Sequence, residues 1–309
     1  MAQSGKIVII GSGHVGSHCA SALAAYGICS EIVLLDKEET IARAHAADIA
    51  DGAAMMPQRT TVRAGGYSEC ADADIVVMAA GVSRKPGQTR LDMLGDTIAI
   101  MQDIVPRLKK SGFGGIVVSI SNPADVVADY LRAHLGLPAR QVFSTGTALD
   151  SARLRRILSE RYQVDGKSVQ AFAMGEHGDS QMIPFSAITL GGVPLSLFDP
   201  DPPKAALLER TRLTGMEIVI GKGSTEFGIG MILAQFVRAI LRDERCILPA
   251  SPLLEGQYGI SGLHAGVPCI IGKHGVEQIL ELPLTAEELE QFRNSTQVIG
   301  RHVELAKTL

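Results

Sequence analysis

Short apolar runs alternate with helical patterns along the first half of the chain. The run Lys6–Ile10 is continuous and β-branched, which is typical of a strand buried on both faces of a parallel sheet. A helical pattern covers Val15–Tyr26, Ile32–Leu35 predicts a second strand, and a second helix continues to about Asp51. Strands that alternate with helices in this way predict an α/β fold with a doubly wound parallel sheet.

The pattern changes after about Phe143. Two more strands, Ile75–Ala79 and Ile116–Ile120, are predicted before that point, and long helices mixed with short strands follow it. The later segments are predicted helices at Ser151–Tyr162, Lys204–Gly221 and Ile229–Leu241 and predicted strands at Val169–Met174, Ala187–Leu190 and Pro268–Gly272. We therefore expect one domain over residues 1–142 and a second, α+β domain over residues 143–309.

The composition argues against several classes of function. The 309 residues carry a formal net charge of -4 without any block of like charges, and tryptophan is absent, so neither nucleic-acid nor membrane binding is expected. The five cysteines form no CxxC pair, which favours reduced, buried thiols in a cytoplasmic protein. Residues 1–6 are too short for a signal peptide, and no apolar run reaches the ~18 residues that a membrane helix needs.

A glycine-rich motif links the first predicted strand to the first helix. Gly11 allows a tight turn, Gly13 allows a pyrophosphate to approach the backbone, and Gly16 allows close packing of the helix on the strand. Asp36 ends the second strand, where its carboxylate accepts hydrogen bonds from ribose hydroxyls and repels a 2′-phosphate. This order of elements predicts a Rossmann domain that binds NAD in preference to NADP. The alternative is a glycine turn in a sheet protein that binds no nucleotide.

Further polar groups follow strands or share a helix face. Asn122 ends one predicted strand and His177 follows another, while Asp150 and Arg153 are three residues apart on one helix face. Residues 84–90 form a loop that contains three cationic side chains. Each has an ordinary structural explanation, such as a turn histidine, a surface ion pair or solvated cations. Their combination in one nucleotide-binding chain favours a catalytic site.

Six motifs resemble the lactate/malate dehydrogenase family over essentially the whole chain. They are GSGHVG, SNPAD, GTALDSARLR, MGEHGDS, KGSTEFGI and EGQYG, and the last four are more similar to the lactate dehydrogenase branch. The resemblance implies hydride transfer between NAD and a small 2-hydroxy acid. The substrate's own C2 hydrogen leaves as hydride, so no metal is required. An NAD-binding protein that has lost catalysis is the alternative of another class, but it would be expected to lack part of the catalytic set.

The resemblance implies roles that the chemistry of each side chain supports. His177 is the acid/base, and Asp150 bonds its other ring nitrogen and stabilises the imidazolium. Arg153 binds the substrate carboxylate with its planar fork. Arg90 arrives on a closing loop and polarises the reacting oxygen, and Asn122 holds that oxygen or the nicotinamide.

The same resemblance extends the site to residues that contact cofactor or substrate. Val15, Ala80 and Gly81 are expected along the cofactor, and Thr225 is expected in the substrate pocket. In this family, the residue six positions before the polarising arginine contacts the side chain of the substrate. In this chain that residue is Arg84, six positions before Arg90. Lactate enzymes have glutamine there and malate enzymes have arginine.

Arg84 leads to the expectation that malate and oxaloacetate are preferred. Its guanidinium would pair with a second carboxylate, whereas the methyl group of pyruvate would leave a buried cation unpaired. Gln88 supplies no acid that would cancel this charge. Thr225 and the lactate-like GEHGDS segment point the other way. Lactate, or a broader range of 2-oxo acids, therefore stays open as the alternative.

The resemblance also bears on assembly and regulation. The family implies a homodimer or homotetramer. Many bacterial lactate dehydrogenases bind fructose 1,6-bisphosphate between subunits through an arginine and a histidine. Arg155 matches the arginine, but Gln170 occupies the position of the histidine, so activation by this sugar phosphate is not expected.

Overall fold

The computed structural model describes residues 5–82 and 93–309. Its first part contains a six-stranded parallel sheet in the order β3-β2-β1-β4-β5-β6. The strands are β1 (Lys6–Ile10), β2 (Glu31–Leu35), β3 (Thr61–Ala64), β4 (Ile75–Met78), β5 (Ile116–Ser119) and β6 (Val142–Ser144). The order reverses beside β1, and the ligand crevice of a doubly wound sheet lies at such a switch point.

Helices cover both faces of the sheet, which is why its strands are apolar on both sides. They are α1 (His14–Ala25), α2 (Glu39–Ala53), α3 (Leu94–Lys110) and α4 (Ala124–Leu135). Ile7 and Ile9 of β1 pack in one core with Leu23 of α1. Val8 of β1 packs in the opposite core with Met101 of α3. The alternation along β1 thus separates two hydrophobic cores, and the predicted Rossmann fold is confirmed.

The second part combines helices with small antiparallel sheets, as the predicted α+β class requires. Its helices are α5 (Ala148–Tyr162), α6 (Leu195–Phe198), α7 (Lys204–Lys222), α8 (Phe227–Leu241) and α9 (Ala286–Ala306). Its strands are β7 (Val169–Gln170), β8 (Thr189–Leu190), β9 (Val193–Pro194), β10 (Cys246–Ala250), β11 (Leu253–Glu255), β12 (Ser261–His264), β13 (Val267–Gly272) and β14 (Gly275–Ile279). They form the sheets β7-β8-β9, β10-β13-β14 and β11-β12.

The two parts share one core rather than packing as separate units. Leu23 of α1 lies in the same buried cluster as Leu233 and Phe236 of α8. The expected boundary at residues 142/143 falls inside β6, the sixth strand of the parallel sheet. Only residues 145–147 separate this strand from α5. Helix α5 therefore begins directly beside the edge at which the strands of the parallel sheet end.

Two predicted strands are shorter than expected. The strand predicted at Ala187–Leu190 covers only Thr189–Leu190. The apolar run at residues 169–174 pairs in a sheet only over Val169–Gln170. Its remainder is buried against α5, where the backbone N–H of Ala173 donates to Ser151 Oγ at 2.9 Å. Met174 and Gly175 then form isolated bridges to Met182 and Gly266. The run is apolar because it packs on a helix, and this burial gives the same sequence pattern as a strand.

None of the helices described has both the length and the apolar character needed to cross a membrane.

Candidate active site

The glycines of the first loop bring two strand ends together. Gly11 has φ +95°, and a Cβ there would lie 2.5 Å from the backbone nitrogen of Ala80. A Cβ on Gly16 would lie 2.0 Å from the carbonyl oxygen of Gly11, so α1 can approach β1 only without a side chain at that position. At both positions a side chain would clash with backbone atoms, which explains why each residue is glycine.

The space in front of α1 fits the pyrophosphate of a dinucleotide. No atom lies within 4 Å of a Cβ built on Gly13, and α1 begins at the next residue with its free N–H groups facing that space. Asp36 Oδ2 accepts from the backbone N–H of Ser12 at 2.8 Å, and Oδ1 accepts from that of Glu38 at 3.1 Å. These bonds hold the carboxylate beside the glycine loop, as recognition of the adenosine ribose requires. Val15 is half-buried in the first turn of α1.

The ends of β4 and β5 line the same crevice. Ser121 Oγ donates to the carbonyl oxygen of Ala80 at 2.6 Å and so ties the two strand ends together. Gly81 is exposed, and no atom lies within 4 Å of a Cβ built on it. Asn122 is also exposed, and its carbonyl oxygen accepts from Thr97 Oγ1 at 3.2 Å. The side chains expected near the nicotinamide are therefore at the open edge of the sheet.

His177, Asp150 and Arg153 are joined through one buried carboxylate. His177 Nδ1 lies 2.6 Å from Asp150 Oδ2, and Arg153 Nη1 donates to Asp150 Oδ1 at 3.0 Å. Asp150 is 2% exposed and Arg153 is 9% exposed. The carboxylate holds the imidazole through Nδ1 and so fixes the orientation of the ring.

Asp125 is part of this constellation, although the sequence analysis assigned it no role. Its Oδ2 accepts from the backbone N–H of His177 at 2.9 Å, and its Oδ1 accepts from Ser251 Oγ at 2.6 Å. Burial raises the pKa of the Asp125 carboxyl, while the bonds from Ser251 and His177 oppose that rise. The signal available in the sequence was an aspartate three residues after Asn122, but its partners are distant along the chain.

Thr225 lies half-buried in the connection between α7 and α8. The next residue, Glu226, is buried and accepts a hydrogen bond from Lys222 Nζ at 2.7 Å as well as one from Ser224 Oγ. The Lys222 ammonium lowers the pKa of the Glu226 carboxyl, and the Ser224 bond adds to this effect. These bonds restrain the segment that contains Thr225.

The specificity loop lies outside the described residues. Arg84, Gln88 and Arg90 all belong to residues 83–92, so their expected roles stay predictions from the sequence.

Arg155 and Gln170, the residues considered for a sugar phosphate, are both described. Arg155 Nε donates to the carbonyl oxygen of Ala171 at 3.0 Å, and its guanidinium carbon lies 5.3 Å from the centre of the Phe172 ring. Gln170 is exposed at the end of β7. Within residues 5–82 and 93–309, no group of three or more metal-ligating side chains could hold a metal ion.

Comparison with protein families assigns both parts of the chain. Residues 5–144 match the lactate/malate dehydrogenase NAD-binding domain, and residues 147–308 match the lactate/malate dehydrogenase alpha/beta C-terminal domain. An L-lactate dehydrogenase of Fusobacterium nucleatum is 42% identical over 315 residues, covering 100% of this chain and 99% of that protein. An L-lactate dehydrogenase of Priestia megaterium is 42% identical over 302 residues, covering 95% and 94%.

Solved structures give the same assignment. The minor L-lactate dehydrogenase of Enterococcus mundtii, in a ligand-bound form, superposes with a TM-score of 0.94 at 37% identity and covers 98% of both chains. The lactate dehydrogenase of Cryptosporidium parvum, complexed with lactic acid and nicotinamide adenine dinucleotide, has a TM-score of 0.94 at 28% identity and covers 100% of both chains.

The fold and these comparisons define an NAD-dependent dehydrogenase of small 2-hydroxy acids. The chain belongs to the lactate/malate dehydrogenase family. The expected cofactor, NAD, is confirmed by the match to the NAD-binding domain. The expected preference for malate finds no support, because the relatives compared are named lactate dehydrogenases, and the alternative fits better.

Proposed function

We propose that this protein is an L-lactate dehydrogenase that reduces pyruvate with NADH and catalyses the reverse reaction with NAD. The observation that carries the proposal is the buried carboxylate of Asp150, which bonds His177 on one oxygen and Arg153 on the other. One carboxylate thereby couples a proton donor to a carboxylate-binding cation. A 2-oxo acid offers the matching pair of groups, since its carbonyl and its carboxylate are on adjacent carbons.

His177 moves the proton in this proposal. In the oxidation direction, Nε2 takes the hydroxyl proton of the 2-hydroxy acid, and the Asp150 carboxylate stabilises the imidazolium that forms. In the reduction direction the same nitrogen returns the proton to the carbonyl oxygen. Asp125 holds the backbone of His177 and thereby fixes the distance over which the proton moves.

Arg153 binds the carboxylate of the substrate and sets its orientation. Its planar guanidinium can make two parallel hydrogen bonds, which a lysine could not reproduce. Asn122 and Arg90 are proposed to act on the reacting oxygen, and Thr225 to contact the substrate beside C3. These assignments rest on the motif matches, and for Arg90 on the sequence alone.

Gly11, Gly13, Val15, Gly16 and Asp36 are proposed to hold the adenosine and pyrophosphate of NAD. Gly13 and the N-terminus of α1 leave room for the phosphates, and the Asp36 carboxylate is held where it can bond the ribose. Ala80, Gly81 and Asn122 complete the site toward the nicotinamide. When bound, NAD supplies or accepts the hydride.

Arg84 is the reason to propose a second substrate. Its position matches the family's specificity residue, and arginine favours a substrate with a second carboxylate. We therefore propose that oxaloacetate is reduced as well, with pyruvate as the better substrate.

 The reason for ranking pyruvate first is that the relatives compared are named lactate dehydrogenases and that the GEHGDS and Thr225 motifs are lactate-like.

The test compares kcat/KM for pyruvate and oxaloacetate, with NADH, in the wild type and in Arg84→Gln. We expect the wild type to prefer pyruvate, and a wild-type preference for oxaloacetate would replace the lactate proposal with malate. Because a charge-assisted hydrogen bond is worth about 1.5 to 3 kcal/mol, Arg84→Gln should lower the oxaloacetate-to-pyruvate ratio about tenfold to a hundredfold. An unchanged ratio would show that Arg84 does not contact the substrate.

Assembly and location remain proposals from the family. We expect a homodimer or homotetramer in the cytoplasm, and light scattering on the purified protein measures the assembly directly.

A further inference from the structure

The loop that contains His177 is bonded to the last helix of the chain, α9. The backbone N–H of Glu176 donates to Ser295 Oγ at 2.8 Å, and Ser180 Oγ lies 3.1 Å from the same oxygen. Ser295 is in the interior of α9 and is 1% exposed. One buried hydroxyl on α9 therefore contacts the loop both before and after His177.

The donors and acceptors at these contacts form a closed cycle of hydrogen bonds. Ser180 Oγ donates its single hydrogen to Glu176 Oε2 at 2.6 Å, so Ser180 Oγ is the acceptor in its contact with Ser295. The Ser295 hydroxyl therefore donates to Ser180, while its oxygen accepts from the backbone N–H of Glu176. The backbone N–H of Ser180 adds a bond to Glu176 Oε2 at 3.1 Å. In this cycle each hydroxyl acts once as donor and once as acceptor.

Gly175, the residue before the cycle, shows how closely α9 approaches the loop. A Cβ built on Gly175 would lie 2.3 Å from Ser295 Oγ and 2.8 Å from Ser295 Cβ, and Gly175 has φ +87°. A side chain at residue 175 would therefore displace Ser295 from the loop. The backbone of Gly175 is also paired with that of Gly266, through one hydrogen bond of 2.9 Å and one of 2.8 Å.

The cycle restrains the residues on either side of His177, and other groups restrain His177 itself. Asp150 orients the imidazole, and Asp125 accepts from the backbone N–H of His177. Without the Ser295 hydroxyl, the Glu176 N–H would lose its acceptor and Ser180 would lose its donor. The loop would then no longer be tied to α9, and the imidazole would move relative to the substrate. Reaction rates fall steeply when a reacting group is displaced.

We propose that Ser295 is a positioning residue for the proton transfer, because its hydroxyl holds the loop that places His177. The inference rests on the proposed function, in which His177 is the acid/base. It gives the last helix of the chain a part in catalysis, although α9 contains none of the motifs that the sequence analysis identified.

Ser295→Ala tests this inference, with Ser186→Ala as the matched control. Ser186 Oγ donates to the carboxylate of Glu288, so the control also removes a serine hydroxyl that bonds α9, about two helical turns before Ser295. The enzyme–NADH complex is mixed with saturating pyruvate, and a single turnover is followed by NADH absorbance. The first-order rate constant reports the reaction in each active site, and the amplitude reports the number of active sites. The Kd of NADH and Tm are measured as well.

We expect Ser295→Ala to lower the single-turnover rate constant about tenfold to a hundredfold, the size of effect that a small displacement of a reacting group produces. The amplitude and the Kd of NADH should stay unchanged, because the cycle does not include the glycine loop. Ser186→Ala should leave the rate constant unchanged, whatever its effect on Tm. Equal rate constants in the two variants, or a smaller amplitude with an unchanged rate constant in Ser295→Ala, would overturn the inference.

Ser180→Ala opens the same cycle from the side of the loop and is measured in the same way, also where Ser295→Ala yields no folded protein. It should lower the rate constant too, and an unchanged rate constant would contradict the inference. Because both hydroxyls belong to one cycle, the double variant should be slower than the slower single variant by less than about threefold. A fully multiplicative loss would show that the two serines act independently and would overturn the cycle.

Failure of this inference is distinguishable from failure of the proposed function. If the wild type reduced no 2-oxo acid, the proposed function itself would fail. An active wild type, with the same rate constant in Ser295→Ala, would remove only the role of Ser295.

Discussion

The proposed cofactor crevice and the proposed catalytic constellation are built in different ways. The crevice is made of backbone: Gly11 and Gly16 allow close approach, and Asp36 bonds a backbone N–H only 24 residues away. The constellation is made of buried side chains from distant segments, since Asp125 bonds His177 across 52 residues and Ser251 across 126. The first depends on the backbone of the parallel sheet and its first helix, and the second depends on the packing of the two parts of the molecule.

This difference predicts how each region responds to substitution. Removing a side chain from the catalytic constellation should damage the chemistry or leave buried groups unpaired. Changing a side chain at the cofactor crevice should alter which cofactor binds, because the backbone contacts remain. The predictions below are ordered by the size of the expected effect.

The largest effect is expected for His177→Asn. General acid–base catalysis contributes about 10²- to 10⁴-fold, so kcat with pyruvate should fall by about a thousandfold. NADH should still bind with Kd within about threefold, because His177 is part of the catalytic constellation and not of the glycine loop. Stopped-flow or steady-state rates and NADH fluorescence measure the two quantities. Retention of more than a few per cent of kcat would contradict the acid/base role of His177.

Asp125→Ala should destabilise the fold. It leaves the backbone N–H of His177 and the hydroxyl of Ser251 without their acceptor, at a cost of about 1 to 3 kcal/mol for each group. We expect the free energy of unfolding in urea to fall by about 2 to 6 kcal/mol. The control is Asp103→Ala, which breaks an exposed pair with Arg107 and should cost less than about 1 kcal/mol. Equal losses in both variants would remove the structural role of Asp125.

Asp36→Asn should relax the choice of cofactor. It removes the charge that opposes a 2′-phosphate, so the NADPH-to-NADH ratio of kcat/KM should rise about tenfold. Asp48→Asn, an exposed position on α2, serves as the control and should leave the ratio unchanged. A ratio in Asp36→Asn equal to that of the wild type would show that Asp36 does not select NAD.

The smallest effect concerns the cysteines, all of which are free. Burial raises the pKa of Cys19, Cys29 and Cys70 to about 12, so few of these thiols are ionised at pH 8. Cys246 is only half-buried. Alkylation of the native protein, read by mass spectrometry, should therefore label Cys246 first and the other positions only after unfolding. Early labelling of Cys19 would contradict this order.

The sequence was sufficient to predict the Rossmann fold and the cofactor NAD, because the pattern that predicts them is local. A strand, a glycine turn, a helix and Asp36 at the end of the second strand are adjacent in the chain, and each has a recognisable residue type. The strand at residues 169–174 was predicted too long, because burial against α5 and burial in a sheet give the same apolar pattern.

The contacts among the proposed catalytic residues could be predicted only in part. Asp150 and Arg153 are one helical turn apart, so their pairing follows from spacing. Asp125 was missed because its contacts are with His177 and Ser251, which only the tertiary fold brings to it. A single sequence does not show such distant contacts.

The most direct test of the central claim follows a deuterium label from the cofactor to the substrate. The wild-type protein is mixed with pyruvate and NADH that carries deuterium on the transferred position of the dihydronicotinamide, and the product is analysed by mass spectrometry and NMR. The account predicts lactate with one deuterium, bonded to C2, formed in equal amount to the NAD produced. Lactate without deuterium at C2, or no oxidation of NADH by any small 2-oxo acid, would contradict it.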